Sequence, residues 1–280
     1  MIRTDSPTIG VFDSGFGGLT VLRALIHRFP RARFVFLGDT ARLPYGSKSR
    51  RTIARYAAQS AQFLTREQGA EFLVIACNTA SALALDAIRE SVTVPVLGVI
   101  EPGAAVARAT SRSGDVLVIA TDATVRSHAY AAACETRGMR AIEKACPLLV
   151  PLVEEGWTNH PVTAEVLRIY LDELLAQAAA EGLKPDALVL GCTHYPLLRP
   201  LIEQTIAQSA GAGIRVIDSA ESTADTATKL LRAGDPDSGE PASAPAIRCF
   251  ATDSVEKFQR LGSKFLGRPV GDVELIDLGG

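Results

Sequence analysis

Short, continuous runs of apolar and β-branched residues recur along the chain, and polar residues rarely interrupt them. Each run has the length of a strand. The lack of alternation is typical of strands in a parallel sheet that is covered on both faces. The strands predicted in this way are 8–13, 33–38, 72–77, 95–100, 116–121, 187–192, 214–219, 246–253 and 272–278.

Between these runs, apolar residues recur at the spacing of one helix face. The predicted helices are 52–69, 162–182, 197–209 and 254–267, and the first of them ends at a glycine. Because strands and helices alternate, the pattern predicts an α/β fold.

A weak internal repeat divides the pattern into two halves. In each half an early strand is followed by small polar residues, and a later strand is followed by a cysteine and two polar residues. Those cysteines, Cys77 and Cys192, lie 115 residues apart. We therefore expect two similar α/β domains with mainly parallel sheets, related by a pseudo-twofold axis, with an active site in the cleft between them.

Composition narrows the function classes. The 280 residues include 29 Lys and Arg against 31 Asp and Glu, so no basic excess favours direct nucleic-acid binding. No apolar run reaches the length of a membrane span, and the first residues lack the apolar core of a signal peptide. The segment 234–245 is rich in Pro, Gly, Ser and Asp, which is typical of a surface loop.

Five cysteines occur, an odd number, and no pair has the spacing of zinc ligands. We expect neither a disulfide framework nor a metal site, and a reducing compartment fits the count. Three of the cysteines are interpreted as buried apolar side chains. Cys77 and Cys192 differ, because each is expected to end a strand at a helix start, where a thiolate is stabilised.

Other polar side chains follow the predicted strands. Asp13 and Ser14 begin a glycine-rich turn, and His194 stands two residues after Cys192. Such a histidine near a thiol favours proton transfer over a purely structural role. Glu154 or Glu155 is expected to orient it, and the sequence leaves the choice between them open.

Two thiols at one site suit a reaction that removes a proton from one face of a carbon and adds one to the other face. That reaction is racemisation or epimerisation. One thiol must be ionised and its partner protonated. None of the six lysines ends a strand in the manner of a Schiff-base lysine. A mechanism without a cofactor is therefore predicted, with N–H groups stabilising the carbanion.

Five segments together identify a resemblance: VFDSGFGG, GDTARLPYGSKS, ACNTASA, LGVIEPG and GCTHYPLL. In this order and at these spacings they resemble the glutamate racemase family, which belongs to the cofactor-independent aspartate/glutamate racemase superfamily. The similarity extends from about residue 8 to residue 218.

The resemblance implies roles for individual residues. Cys77 and Cys192 match the catalytic acid/bases, with Cys77 acting on D-glutamate and Cys192 on L-glutamate. Residues that match the family's assisting groups are Asp13, His194 and Glu154. Residues that match its substrate-binding pairs are Asp13, Ser14, Tyr45, Gly46, Asn78, Thr79, Thr193 and His194.

The resemblance also implies a cytoplasmic bacterial enzyme that supplies D-glutamate for peptidoglycan, with L- and D-glutamate as its small-molecule substrates. It implies a discontinuous first domain, 1–98 plus 212–280, and a second domain, 99–211. A homodimer is one candidate assembly, and the sequence leaves it open.

Two other functions remain as alternatives. A hydrolase would use Cys192 as nucleophile and His194 as base, which would share a face if the strand continued through them. That function leaves Cys77 unexplained. A protein that only binds amino acids would need neither thiol.

Overall fold

The computed structural model describes residues 7–231 and 245–279. Its strands, in chain order, are β1 (Thr8–Asp13), β2 (Arg33–Gly38), β3 (Phe72–Ile75), β4 (Val96–Gly98), β5 (Asp115–Ala120), β6 (Arg140–Ala145), β7 (Ala187–Gly191), β8 (Arg215–Asp218), β9 (Ile247–Ala251) and β10 (Val273–Leu275).

The α-helices are α1 (Leu19–Arg28), α2 (Arg50–Gln62), α3 (Asn78–Leu83), α4 (Leu85–Ser91), α5 (Ile100–Thr110), α6 (Asp122–Ser127), α7 (Ala129–Glu135), α8 (Leu149–Glu154), α9 (Pro161–Ala180), α10 (Arg199–Ala210), α11 (Ser219–Leu231) and α12 (Val255–Leu266). Three short 3₁₀ turns span Thr40–Arg42, Tyr45–Ser47 and Tyr195–Leu198, and a π turn, Phe63–Glu67, continues α2.

The chain divides into two compact units. Unit 1 comprises Met1–Val99 and Ala220–Gly280, and unit 2 comprises Ile100–Ser219. Within unit 1 the sheet has the order β10-β9-β2-β1-β3-β4, and within unit 2 it has the order β6-β5-β7-β8. Every pairing in both sheets is parallel. The predicted α/β fold with two parallel sheets is confirmed, while the pseudo-twofold axis stays a prediction.

The two sheets share one connectivity. The first four strands of unit 1 lie in the order second, first, third, fourth, and so do the four strands of unit 2. The central strands β1, β3, β5 and β7 are buried along their whole length. Their continuous apolar sequences follow from this burial on both faces. The internal repeat in the sequence therefore corresponds to a repeated strand order.

One strand was missed by the hydrophobic pattern. Strand β6 carries Arg140, Glu143 and Lys144 among its six residues, and it lies at the edge of its sheet beside β5. An edge strand is covered less completely than a central one, so its sequence tolerates charged residues. These residues interrupt the apolar run by which a buried strand is predicted.

The chain returns from unit 2 to unit 1 at a later residue than the sequence predicts. The resemblance implies that 212–280 belongs to the first domain, whereas β8 pairs with β7 and so belongs to the sheet of unit 2. The contact boundary falls after Ser219. The apolar run of β8 does not reveal which sheet it joins, because strand partners are not encoded locally. The predicted loop 234–245 lies outside the described residues except for Pro245.

Asp186, directly before β7, binds the segment that leads into β5. Its carboxylate accepts hydrogen bonds from the Ser111 hydroxyl at 2.5 Å, the Arg112 N–H at 2.7 Å, and the Ser113 N–H and hydroxyl at 3.1 and 3.0 Å. Burial opposes ionisation, but these bonds outweigh it and lower the pKa of Asp186 from 3.8 to about 2. The folded state therefore favours the ionised form.

Asp186→Asn is expected to lower the free energy of unfolding at pH 7 by about 1 kcal/mol, because hydrogen bonds to a charged acceptor contribute more than those to a neutral one and three of these four bonds are exposed to solvent. A depressed pKa in the folded state stabilises above the unfolded pKa, about 3.9, and that stabilisation is lost as the pH falls through about 2. The difference in free energy of unfolding between wild type and Asp186→Asn should become smaller over this pH window. Urea unfolding at several pH values measures it. Asp86→Asn, at a carboxylate that is 80% exposed, is the control. A constant difference from pH 7 to pH 2 would contradict the assignment.

Within the described part of the chain, no helix combines the length and apolar character that crossing a bilayer requires.

Candidate active site

In unit 1, the thiol of Cys77 lies at the start of helix α3, two residues after strand β3. Its Sγ accepts a hydrogen bond from the Ala80 N–H at 3.4 Å and donates one to the Ser14 Oγ at 3.4 Å. The side chain is 5% exposed. The structure thus brings together Cys77 and Ser14, two residues that the sequence assigned to one site.

The ionisation of Cys77 differs from the expectation. A helix start was expected to stabilise the thiolate, but the pKa of Cys77 is raised from 9.0 to about 11. Burial is the main cause and the charge of Asp13 is the second, while the bonds from Ser14 and Ala80 lower the value less. At neutral pH the thiol of the free protein is therefore protonated.

Asp13 and the turn after it are shaped by close packing. The carboxylate of Asp13 accepts the Gly15 N–H at 2.9 Å, so this donor is not free for a bound anion. A Cβ at Gly18 would lie 2.6 Å from the Cβ of Asp13 and 2.8 Å from that of Ala76. Only glycine therefore lets the chain enter α1 so close to the strand end that precedes Cys77.

The turn that begins at Tyr45 lies against helix α3, which carries Asn78 and Thr79 in its first positions. Tyr45 is almost fully buried, and its hydroxyl donates to the Asp39 Oδ2. Burial and the neighbouring charge of Asp39 raise the pKa of Tyr45 far above its usual value. Tyr45 therefore stays a neutral donor, and Gly46 follows it in the same turn.

In unit 2, strand β7 ends at Gly191 and Cys192 comes directly after it, 5% exposed. Thr193 and His194 follow, both buried. The strand does not continue through Cys192 and His194, so the premise of the hydrolase alternative, a shared strand face, is not met. Neither residue lies in regular strand or helix.

His194 and Glu154 form a contact in unit 2. The Nε2 of His194 lies 3.4 Å from Oε1 of Glu154, the last residue of helix α8. Their side chains are 11% and 19% exposed. Glu155 instead borders an apolar groove beside Leu152 and Trp157. Of the two acids that the sequence left open, Glu154 is therefore the one beside the imidazole.

Equivalent positions carry the two thiols. Cys77 follows β3, the third strand of unit 1, and Cys192 follows β7, the third strand of unit 2. Each lies within two residues of the carboxyl end of its strand. That edge of an open parallel sheet is where ligands bind.

A family model described as Asp/Glu/Hydantoin racemase matches residues 10–227. The chain belongs to this racemase family. A glutamate racemase of Koribacter versatilis is 52% identical, and the alignment covers 98% of each chain. A racemase is an isomerase, so the family assigns the reaction class.

Two solved structures are similar to this racemase. Glutamate racemase of Thermus thermophilus, in complex with β-chloro-D-alanine, is 40% identical with a TM-score of 0.81, covering 99% of both chains. Glutamate racemase of Francisella tularensis, in complex with D-glutamate, is 33% identical with a TM-score of 0.83, covering 98% of this chain and 99% of that one.

Sequence reasoning missed two charged residues of this racemase. Asp39 is fully buried, and the Arg42 Nε lies 2.8 Å from both of its carboxylate oxygens. Thr252 donates to Asp39 Oδ1 at 3.0 Å, and the Asp39 N–H donates to the Asp13 carbonyl at 3.0 Å. Asp39 therefore links Tyr45 to the end of β1. Both residues stand in GDTARLPYGS, where the charged pair at i and i+3 was the available signal.

Proposed function

We propose that this racemase interconverts L- and D-glutamate, with Cys77 and Cys192 as its two acid/base groups. The observation that carries the proposal is their equivalent placement after the third strand of two sheets with one connectivity. The near full-length similarity to glutamate racemases supports the choice of substrate.

The reaction requires one thiolate and one thiol. In the L-to-D direction, the Cys192 thiolate takes the α-proton, the electron pair stays on the α-carbon, and the Cys77 thiol gives its proton to the opposite face. The raised pKa of Cys77 supports this starting state, because that thiol is protonated at neutral pH. In the reverse direction Cys77 must first lose its proton, and the two thiols exchange roles.

Nearby groups assist each thiol in this proposal. Asp13 assists Cys77, because its charge raises the pKa of that thiol and keeps it protonated. The Glu154–His194 pair serves Cys192, since a carboxylate that contacts the imidazole fixes the orientation of the ring two residues after the thiol.

Eight candidate residues, including the assisting Asp13 and His194, are proposed to bind the substrate. They lie at the ends of strands and the starts of turns or helices, positions at which backbone N–H groups commonly bind anions. The set comprises Asp13, Ser14, Tyr45, Gly46, Asn78, Thr79, Thr193 and His194. Tyr45 contributes through its backbone or as a neutral acceptor, since its hydroxyl proton is donated to Asp39, and it is not a proton-transfer group.

We further propose that the enzyme acts in the bacterial cytoplasm and supplies D-glutamate for peptidoglycan, without an organic cofactor or metal. A homodimer stays one candidate assembly. The resemblance to the glutamate racemase family implies the location, the product's use and the absence of a cofactor, and a two-thiol reaction needs a polar site that stabilises the carbanion.

The purified protein is expected to racemise L-glutamate in buffer with a chelator and without added pyridoxal phosphate. Circular dichroism of the solution should fall to zero as the two enantiomers equilibrate. Aspartate should react at least tenfold more slowly, because polar groups placed for the longer side chain lose their partners, at about 1–3 kcal/mol per group. Equal rates with aspartate would overturn the substrate, and activity only after addition of pyridoxal phosphate or a metal would overturn the mechanism.

A further inference from the structure

Tyr195 directly follows His194, and the proposed function gives it no role. Its side chain is fully buried. Its hydroxyl is directed at two backbone carbonyls, those of Cys146 at 3.0 Å and Ala120 at 3.2 Å. A buried phenol with two acceptors within hydrogen-bond distance is held in one position, because moving it would leave buried polar groups unsatisfied.

The two acceptors belong to different segments of unit 2. Ala120 is the last residue of β5. The Cys146 carbonyl also accepts the N–H of Leu149, the first residue of α8, at 3.2 Å. The Tyr195 N–H donates to the Cys192 carbonyl at 3.1 Å. One residue therefore links the end of β5, the start of α8 and the turn that follows β7.

Helix α8 is short and ends at Glu154, which contacts His194. Tyr195 holds the start of this helix through its hydroxyl and adjoins His194 through the backbone. Tyr195 is thus connected to both partners of the carboxylate–imidazole contact, to Glu154 through the start of α8 and to His194 through the backbone. We propose that Tyr195 is a positioning residue that sets the Glu154–His194 contact, and through it the proton transfer at Cys192.

This inference rests on the proposed function, and it differs from a purely structural role of the phenol. A phenol that only fills the core would affect stability alone. A phenol that positions the pair affects the chemical step, because small displacements of acid/base groups have large effects on rate. Burial raises the pKa of Tyr195 well above its usual value, so the hydroxyl remains a donor at every pH of the assay.

Tyr195→Phe tests the proposal, since it removes the hydroxyl and keeps the ring. We expect kcat to fall about tenfold in both directions, with KM changed less than about twofold, and the pH profile of kcat to shift as it does in Glu154→Gln. The double variant should lose no more kcat than Glu154→Gln alone, because both substitutions disrupt one contact. Thr205→Val is the matched control, because it removes a buried hydroxyl of unit 2 that donates to the Leu201 carbonyl at 2.8 Å within α10, away from α8. Its kcat should equal that of wild type.

The outcomes separate this inference from the proposed function. Wild type that does not racemise glutamate overturns both. If wild type is active, a Tyr195→Phe enzyme with the kcat and pH profile of Thr205→Val overturns the inference alone. The inference is also overturned if the losses of kcat in the two single variants multiply in the double variant. Glu154 is partly exposed, so Glu154→Gln keeps the proposal testable even if Tyr195→Phe does not fold. Wild-type kcat in Glu154→Gln would then overturn it.

Discussion

Cys77→Ala and Cys192→Ala are each expected to lower the rate of racemisation by at least about a thousandfold in both directions, within the range that acid/base groups contribute. Inversion needs a proton donor on one face of the α-carbon and an acceptor on the other. Removing either thiol eliminates one of these two proton transfers, whichever enantiomer is supplied. The measurement is the decay of circular dichroism from each pure enantiomer.

Matched controls come from cysteines outside the candidate site. Cys249 lies in β9 of unit 1 and Cys134 in α7 of unit 2, and both are buried like the two candidates. Cys249→Ala and Cys134→Ala should reduce stability and leave racemisation near the wild-type rate. A Cys77→Ala enzyme as active as Cys249→Ala would disprove the two-thiol mechanism.

Heavy water distinguishes the roles of the two thiols. In each variant the remaining thiol can still take the α-proton of its own enantiomer and return deuterium to the same face. Cys77→Ala should therefore exchange the α-proton of L-glutamate slowly without inversion, and Cys192→Ala that of D-glutamate. Proton NMR of the α-position reports the exchange. If each variant exchanged the other enantiomer instead, the two-thiol mechanism would stand. Cys77 would then act on L-glutamate and Cys192 on D-glutamate.

The position of the candidate site could be proposed from the sequence, because each of its two thiols lies within two residues of the end of a buried strand. A strand covered on both faces needs a continuous apolar run, so β3 and β7 are visible, and the polar residues after them mark the ligand-binding edge. The same reasoning does not apply to β6, which lies at an edge and carries charges.

Ionisation could not be predicted from the same motifs. The helix start and the hydrogen bond from the Ala80 N–H to Cys77 are readable from local sequence and favour a thiolate. Burial and the charge of Asp13 depend on tertiary packing, and they outweigh the local effects. The choice of Glu154 over Glu155 likewise depended on how α8 is oriented toward His194.

Asp39 and Arg42 illustrate a third limit. Two charges separated by three residues are usually exposed on a helix, where they contribute little. Here a 3₁₀ turn places them in the interior of unit 1, with side chains 0% and 10% exposed. Their burial is determined by distant residues such as Thr252 of the turn after β9, which no local pattern indicates.

Arg42→Met is expected to destabilise unit 1 by about 3–5 kcal/mol, because it leaves the buried carboxylate of Asp39 without its cation. The loss should appear in urea unfolding. Asp39 also accepts the hydroxyl of Tyr45, so an uncompensated charge there should disturb the turn that carries Tyr45 and Gly46. KM for glutamate should rise in the same variant.

The double variant Asp39→Asn/Arg42→Met shows whether the charge or the packing is responsible. Removing both charges eliminates the desolvated ion, so this variant should be more stable than Arg42→Met by at least about 1 kcal/mol. Arg248→Met is the control, since Arg248 forms an ion pair with Glu274 in which both side chains are 61% exposed. Its loss should stay below about 1 kcal/mol. Arg42→Met could lower the free energy of unfolding no more than Arg248→Met does. The losses in Asp39→Asn and Arg42→Met could also simply add in the double variant. Either result would show that the buried ion pair does not hold Tyr45 in place.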